Sequence, residues 1–356
     1  MNQALSELLQ QLRAATRVQE VFGAAHLTSA QALKRRYRAL AGQAHPDRHP
    51  NDAAAANEAF KRLQDWYAVA QRYVAAADPA APLIAATSRL HHYRGDQPPL
   101  SGDLCDLYPA LADGAPVLLK VARQPANHDL LQVEAATLAR LARELDGQPL
   151  RAHFPTLIEH FLLRGGDGAV RHVNVLRQEV GYVTLAAVQR AFPGGLPLAD
   201  AAWMFNRILA ALGVIHGLGL VHGALTPAHV LVRPADHNGL LLDWCYCVPM
   251  GQPIKAISPA YAADYAPEIE ARQPATPATD LFMAARCLLH LLGGRSSPDD
   301  LPASVPSAVC ALLRACLIPA PQRRVSAAWE LFDDFQDISQ QTVGPRTFRP
   351  FHMPSM

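Results

Sequence analysis

The chain has 356 residues, half of them hydrophobic, so it is long enough for two or three domains with real cores. Its 32 basic and 31 acidic residues nearly balance, which argues against nucleic-acid or membrane-surface partners. The six cysteines are irregularly spaced, as expected of reduced thiols. We find neither a secretory leader nor a run of 18 apolar residues. We therefore expect a soluble, cytoplasmic protein without a metal site.

Residues 1 to about 76 are predicted to be helical. Apolar residues recur at helical spacing in three stretches: Leu5, Leu8, Leu9 and Leu12; Leu33, Tyr37 and Leu40; and Phe60, Leu63 and Tyr67. Ten basic and six acidic residues give this segment a net charge of +4, against +1 for the whole chain. The segment is therefore predicted to be a small all-α domain with a basic surface.

The remaining chain changes its pattern several times. An Ala/Pro-rich linker is predicted at 77–93, followed by a strand-rich lobe at 94–181 and a mainly helical lobe at 182–336. The last segment, 337–356, is predicted to be an irregular tail. Strands that precede helices in this way indicate an α+β arrangement in two lobes.

The stretch "AGQAHPDRHPN" joins the second and third predicted helices. Pro46 and Pro50 stop helix formation, and a polar tripeptide held by proline is not expected in a core. The plain interpretation is a connecting loop without function. The functional interpretation is that the two helices present His45 and Asp47 to a partner.

This segment, with the basic helix "LKRRYRAL" before it and "FKRL" after it, resembles a J domain, the DnaJ-type module that engages DnaK-type chaperones. The resemblance implies that His45, Pro46 and Asp47 trigger ATP hydrolysis on the partner. It also implies docking through residues of the second helix, namely Lys34, Arg36, Tyr37 and Arg38. A solvated helix face is the alternative for these residues. Nucleic-acid binding is weaker, because no aromatic residues are interleaved with the charges.

From residue 94 to about 335 the chain resembles the protein-kinase fold, with the motifs in the expected order. Lys120 in "VLLK" matches the lysine that holds the nucleotide's phosphates, and Glu134 matches its helix partner. Asp243 in "LLLDWC" matches the magnesium-binding aspartate, and Gly102 is what remains of the phosphate-covering loop. The resemblance also assigns three purely structural positions: Glu268, Asp280 and Arg324.

The stretch "HGALTPAHVLV" resembles the kinase catalytic loop with key residues replaced. His222 is retained, but Ala224 stands where the family has its catalytic aspartate and His229 where it has a magnesium-binding asparagine. Alanine offers neither charge nor lone pair. These departures predict a pseudokinase, which is not an enzyme, has no catalytic residue and requires no cofactor. Binding of ATP with magnesium through Gly102, Lys120, Glu134 and Asp243 stays open.

The expected fold is thus multidomain: an all-α J-domain helical hairpin followed by an α+β bilobal protein-kinase-like fold. The predicted function is that of a co-chaperone and adaptor, which stimulates a DnaK-type ATPase and binds an unidentified protein client or assembly through the kinase-like domain. The alternative is a nucleotide-binding switch or atypical protein kinase, in which ATP and magnesium control the J domain. A third interpretation assigns the binding of partners to the tail "RTFRPFHMP".

Overall fold

The computed structural model describes residues 3–28, 30–75, 83–102, 104–164, 169–345 and 347–354. The contacts divide the chain into two compact units. The first comprises Met1–His128 and Glu159–Gln178, and the second comprises Asp129–Ile158 and Glu179–Met356. Each unit is described separately below.

The N-terminal part of the first unit is helical: α1 (Gln3–Ala14), α2 (Val18–Phe22), α3 (Ala30–Ala44) and α4 (Ala53–Ala75). The predicted apolar stripes of α1, α3 and α4 meet in one hydrophobic core, which confirms those three helices. The short helix α2 was not anticipated, and it adds the fully buried Phe22 to this core. At its edge, the Trp66 indole N–H donates to the Leu12 carbonyl oxygen at 3.4 Å. Helix α1 is thereby fixed against α4.

The rest of the first unit is a β-sheet. Its strands are β1 (Ile84–Thr87), β2 (His92–Gly95), β3 (Leu100–Ser101), β4 (Cys105–Ala112), β5 (Ala115–Ala122), β6 (Leu157–Arg164) and β7 (Val170–Arg177). The strand order is β1-β2-β4-β5-β7-β6, and β3 pairs with β4. Strands β4, β5 and β7 are antiparallel neighbours. Val117 and Leu119 of β5 lie with Val173 and Val175 of β7 in the core of this sheet.

The second unit is mainly helical. Its helices are α5 (His128–Glu144, from its second residue), α6 (Leu185–Ala191), α7 (Leu198–Gly217), α8 (Pro267–Glu270), α9 (Pro277–Leu291), α10 (Ser307–Cys316) and α11 (Ala328–Val343). Its short strands are β8 (Val183–Thr184), β9 (Leu220–Val221), β10 (Val230–Arg233), β11 (Asn238–Leu241) and β12 (Val248–Pro249). Among the described helices, α7 alone has the length and apolar composition of a membrane span. Since 78% of its apolar window is buried, it is a core helix of this unit.

The expected fold class is confirmed: an all-α N-terminal region precedes a strand-rich region and a mainly helical one, as in a bilobal kinase-like fold. Two predicted boundaries differ from the structure. The linker expected at 77–93 is part of the sheet from Ile84 onward, because "IAAT" and "HYRG" alternate buried and exposed residues and pair as β1 and β2. Residues 76–82 lie outside the described part. The tail expected from 337 begins only at Gly344, whose positive φ of 86° ends helix α11.

Candidate functional site

The predicted His-Pro-Asp motif lies in a short 3₁₀ turn between α3 and α4. His45 precedes the turn formed by Pro46–Arg48, and its ring Nδ1 accepts a hydrogen bond from the Asp47 backbone N–H at 3.3 Å. The ring also meets Phe60 of α4 edge-on, with the centroids 5.8 Å apart. The side chains remain accessible, at 47% for His45 and 88% for Asp47. The turn therefore presents both polar groups to solvent in a defined geometry.

Two further contacts tie this turn to the end of α3. The Arg48 guanidinium donates to the Gly42 carbonyl oxygen at 3.1 Å, and the His49 ring donates through Nε2 to the Gln43 carbonyl oxygen at 2.7 Å. The last carbonyl groups of a helix have no hydrogen-bond partner within the helix. The hydrogen bonds from Arg48 and His49 therefore cap the end of α3, and both of them stiffen the loop. Sequence reasoning had assigned no role to His49.

The basic residues of α3 do not share one face. Lys34 and Arg38 are exposed and one helical turn apart, so they form a single stripe. Arg36 is half-buried and lies on the opposite side of the helix. Tyr37 is also half-buried, and its ring stacks on Tyr67 with the centroids 3.9 Å apart. The structure brings Lys34 and Arg38 together, whereas Tyr37 packs against the core of the helical region.

Two predicted nucleotide residues lie in the first unit. Gly102 follows β3, where its N–H donates to the Cys105 carbonyl oxygen at 2.9 Å, and a Cβ at this glycine would come within 3.0 Å of the same oxygen. Lys120 lies on β5 opposite Asn174 of β7 and is only 6% exposed. The buried Asp106 carboxylate accepts a hydrogen bond from Arg123 at 2.8 Å, so its charge is compensated.

The other two nucleotide candidates lie in the second unit and converge. Glu134 of α5 is 1% exposed and accepts a hydrogen bond from the Trp244 backbone N–H at 3.2 Å. Asp243 has left-handed backbone angles (φ 62°, ψ 62°), a conformation that aspartate tolerates better than most residues. Ligand atoms of Glu134, Asp243 and Cys245 all lie within 4.8 Å of one another, close enough to hold one metal ion. Sequence reasoning had not placed Cys245 beside Glu134 and Asp243.

The catalytic-loop segment is fixed by Asp280 of α9. Its carboxylate accepts the backbone N–H groups of His222 at 2.7 Å and Gly223 at 2.9 Å. The ring of His216, which sequence reasoning had missed, lies 3.1 Å from the same carboxylate. The His222 ring donates through Nε2 to the Leu242 carbonyl oxygen at 2.9 Å. Burial lowers the pKa of His222 to about 4, so this ring is neutral at pH 7.

His229 connects the segment after β9 with Asp243. Its Nδ1 donates to the Ala224 carbonyl oxygen at 2.8 Å, and its Nε2 lies 3.3 Å from the Asp243 carboxylate. Both neighbours are acceptors, so both contacts are hydrogen bonds only when the ring carries two protons. Ala224 is fully buried. The loop therefore places an imidazole, and no carboxylate of its own, beside Asp243.

Two groups of buried charged side chains also lie in the second unit. Arg324 makes a bidentate pair with Glu268, with both N–O distances at 2.7 Å, as expected for the structural positions. Burial opposes ionisation of Glu268, but the hydrogen bonds from Arg324 outweigh it and hold the pKa of this carboxyl below its usual value. The second group, in which Asp264 contacts both Arg286 and His290, was missed because these two residues lie 22 and 26 positions after Asp264 in the sequence.

Comparison with known proteins matches the N-terminal and C-terminal regions of the chain to different kinds of protein. Residues 19–72 match the family model of the DnaJ domain, so this segment is a DnaJ domain. The match begins inside α2, and α1 lies ahead of it.

The C-terminal region is similar to serine/threonine-protein kinases. Identity is 27% over 205 residues with kinase PknG of Mycolicibacterium smegmatis, covering 51% of this chain and 25% of that protein. It is 26% over 222 residues with serine/threonine-protein kinase F of Synechocystis, covering 57% and 43%. It is 27% over 201 residues with PknG of Mycobacterium leprae, covering 51% and 26%. The chain thus spans less than half the length of each relative.

The prediction that the chain is not an enzyme is wrong by this comparison. The relatives are named as kinases, which points to a kinase enzyme. The prediction gave decisive weight to Ala224, whereas Lys120, Glu134 and Asp243 are all retained. Phosphoryl transfer relies mainly on positioning and charge stabilisation, so the replacements at Ala224 and His229 do not decide the question.

Proposed function

We propose that this protein is a co-chaperone whose DnaJ domain stimulates a DnaK-type ATPase, and whose kinase-like domain binds ATP with magnesium and acts on a protein client. The observation that carries the proposal is the exposed, doubly anchored turn of His45, Pro46 and Asp47. Its polar groups are held in one geometry and still face solvent. A partner that binds such a turn loses little conformational entropy in ordering it.

The stripe of Lys34 and Arg38 supports the same partner. Two cations one helical turn apart suit an acidic protein surface. Both side chains are exposed, so their attraction for that surface should be screened by salt. We therefore assign docking chiefly to Lys34 and Arg38, and assign packing to Tyr37.

Single-turnover ATP hydrolysis by a DnaK-type chaperone tests this half of the proposal. The full chain should accelerate hydrolysis several-fold, and His45→Gln should abolish the acceleration, because the amide keeps a polar group but cannot reproduce the imidazole's contacts. His26→Gln is the matched control: His26 is exposed and lies outside the turn, so this substitution should leave the acceleration unchanged. Equal acceleration by the natural chain and His45→Gln would refute the role of the turn.

The converging side chains of the second unit support nucleotide binding. The carboxylates of Glu134 and Asp243 are hard oxygen ligands of the kind that magnesium prefers. When bound, magnesium would neutralise the charge of the nucleotide's phosphates. We propose that Asp243 holds the ion, that Lys120 contacts the phosphates, and that transfer proceeds without a loop carboxylate at position 224. The domain would therefore act as an atypical kinase.

Thermal unfolding with saturating ATP and magnesium tests nucleotide binding. A ligand that binds only the folded state raises its melting temperature, and we expect such a rise here. Lys120→Met should remove the rise, because it deletes the cation but keeps the length of the side chain. Lys255→Met is the matched control, since Lys255 is exposed and pairs with Asp129. A melt that ATP and magnesium leave unchanged would contradict this half of the proposal alone.

Joining the two activities has a physical rationale. A client bound to the kinase-like domain is held near the DnaJ domain of the same chain, which raises its effective concentration at the chaperone.

We also propose a cytoplasmic location. All six cysteines are free thiols and five of them are buried, which supports a reducing compartment.

A further inference from the structure

A cavity of about 860 Å³ lies within the first unit. Residues of α4 line it on one side, and residues of β1, β4, β5, β6 and β7 line it on the other, together with the segment that follows β5. The lining shares no residue with the positions assigned to nucleotide, metal or chaperone binding. Its volume lies within the range of small-molecule sites, so the cavity is large enough for a ligand.

The charged side chains of this lining are mostly basic. They are three arginines, Arg123, Arg164 and Arg171, and one carboxylate, Asp65. Asp65 is exposed, whereas Arg123 and Arg171 are half-buried. The buried Asp106, which pairs with Arg123, adds a second negative charge, so three positive charges stand against two negative ones. The cavity therefore favours an anion.

Two of the arginines lie opposite each other in the sheet. Val121 of β5 is paired with Val173 of β7. Continuing this antiparallel register by two residues brings Arg123, just past the end of β5, opposite Arg171 of β7. Side chains alternate along a strand, so both arginines lie on the same face as the two valines. Like charges directly opposite each other destabilise a sheet, and an anion between them would remove the repulsion.

Arg123 is already held in place by its neighbours. Its Nε–H donates to the Asp106 carboxylate at 2.8 Å, and its backbone N–H donates to the Leu104 carbonyl oxygen at 3.1 Å. A guanidinium has five N–H donors in a rigid plane, and the bond to Asp106 uses the one at Nε. Since 24% of the Arg123 side chain is exposed, Asp106 fixes the group while a ligand can still reach it.

We propose that this cavity binds a small organic phosphate, with the phosphate group between Arg123 and Arg171. The planar fork of arginine pairs bidentately with phosphate, and three terminal oxygens let one phosphate accept from both forks. The apolar side chains of Leu104, Val121 and Leu163 belong to the same lining. They provide a surface for an apolar or ring-shaped body of the ligand, which an inorganic ion lacks.

Such a ligand would contact the DnaJ domain and the sheet at the same time. Val69 and Gln71, which line the cavity from α4, lie inside the matched DnaJ segment, and Ile84 and Ala85 line it from β1. A ligand that binds the folded state lowers the population of locally opened states. Saturation with ligand should therefore slow hydrogen exchange of the α4 amides near Gln71, and unchanged exchange there would contradict the proposal.

Phenyl phosphate is a suitable probe, and phenol is the control because it keeps the ring but lacks the phosphate. Calorimetric titration of the full chain at low salt should show saturable binding of phenyl phosphate at about 1 mM or tighter. Phenol should bind at least about tenfold more weakly, since it makes no charge-assisted hydrogen bond. Absence of saturable binding by phenyl phosphate, or equal binding of phenol, would overturn the proposal.

Two substitutions locate the site. Arg171→Gln removes one of the two facing charges and should weaken binding at least about tenfold. Arg123→Gln should do the same, but it leaves Asp106 buried without its partner; if circular dichroism shows that this variant is unfolded, Arg171→Gln decides. Arg94→Gln, at an exposed arginine of β2 outside the lining, makes the same change in net charge and should leave binding unchanged. Binding that survives in folded Arg171→Gln, or that Lys120→Met abolishes, would place the probe elsewhere and overturn the proposal.

Discussion

Two turns of this molecule carry a histidine two positions before a residue of functional interest: His45 before Asp47, and His222 before Ala224. The two turns differ in how far these residues are exposed to solvent. In the turn after α3, His45 is about half exposed and Asp47 almost fully exposed. In the loop after β9, His222 and Ala224 are completely buried. The first histidine orders a turn that faces solvent, whereas the second orders a loop from inside.

The difference lies in how the polar groups of each turn are used. At His45 the anchoring bonds come from the neighbours Arg48 and His49, so the Asp47 carboxylate is left accessible. At His222 the anchors are the loop's own backbone N–H groups, which bind Asp280. The first turn can thus act by contact with another protein. The second sets the position of Asp243, through Leu242 and His229.

The largest expected effect follows from the loss of a buried ion pair in the second unit. Arg324→Ala leaves Glu268 charged and unpaired in a site where both side chains are at most 1% exposed. Removing one partner of a buried ion pair costs about 3–5 kcal/mol. We expect a loss of this size in the free energy of unfolding of the kinase-like region, measured by denaturant titration with hydrogen exchange in α9 as the local probe.

The matched control is Arg323→Ala, at the exposed neighbour in the sequence. A surface change of this kind should alter stability by no more than about 0.5 kcal/mol. If both variants lose the same small amount of unfolding free energy, the Arg324–Glu268 pair does not stabilise this region.

A smaller effect sharpens the comparison at the catalytic loop. Ala224→Asp restores a carboxylate where the resemblance places the catalytic aspartate. Positioned acid–base groups accelerate proton transfer by about 10²–10⁴-fold, and we expect the low end, about 10², because the site is fully buried. The measurement is transfer of labelled γ-phosphate from ATP to the chain itself and to a generic protein substrate.

Ala224→Asn is the control, since it has the same shape without the charge and should not accelerate transfer. The melting temperature shows whether each variant is folded. His229→Asn, which supplies the amide expected at the second magnesium position, should also raise the rate if transfer uses this loop. Folded variants that leave the rate of the natural chain unchanged would show that transfer does not depend on positions 224 and 229.

The helices α1, α3 and α4 and the break at Pro46 can be predicted from sequence. The spacing of apolar residues along a helix and the effect of proline on the backbone both depend only on neighbouring residues. The role of Asp280 followed from a recognisable motif order. The proximity of Cys245 to Glu134 did not follow, since it depends on how α5 meets a loop more than a hundred residues later. Similarly, the sequence assigned Tyr37 both to the apolar stripe of its helix and to docking, and its stacking on Tyr67 of α4 was needed to decide for packing.

The smallest expected effect concerns the exposed ion pair of Arg13 in α1 with Glu58 in α4. The Glu58 carboxylate accepts two hydrogen bonds from Arg13, at 2.6 and 3.0 Å, and one from Arg62 at 2.9 Å. The Arg13 hydrogen bond is the main reason why the pKa of Glu58 lies below its ordinary value of 4.5. Its stabilisation is therefore complete above about pH 4.5 and is lost as the pH falls through the lower, folded-state pKa.

Because both side chains are at least one-third exposed, this pair should contribute only about 0.2–1 kcal/mol. Arg13→Ala should accelerate hydrogen exchange of the α1 amides by at most about fivefold at pH 7, and the difference should shrink as the pH falls from 4.5 through the lower, folded-state pKa of Glu58. Arg35→Ala, at an exposed arginine of α3, should change neither value. A difference that persists in acid would mean that Arg13 acts through the packing of its aliphatic stem and that its charge is irrelevant. The contact of α1 with α4 would then be held by packing, in contrast to the buried Arg324–Glu268 ion pair.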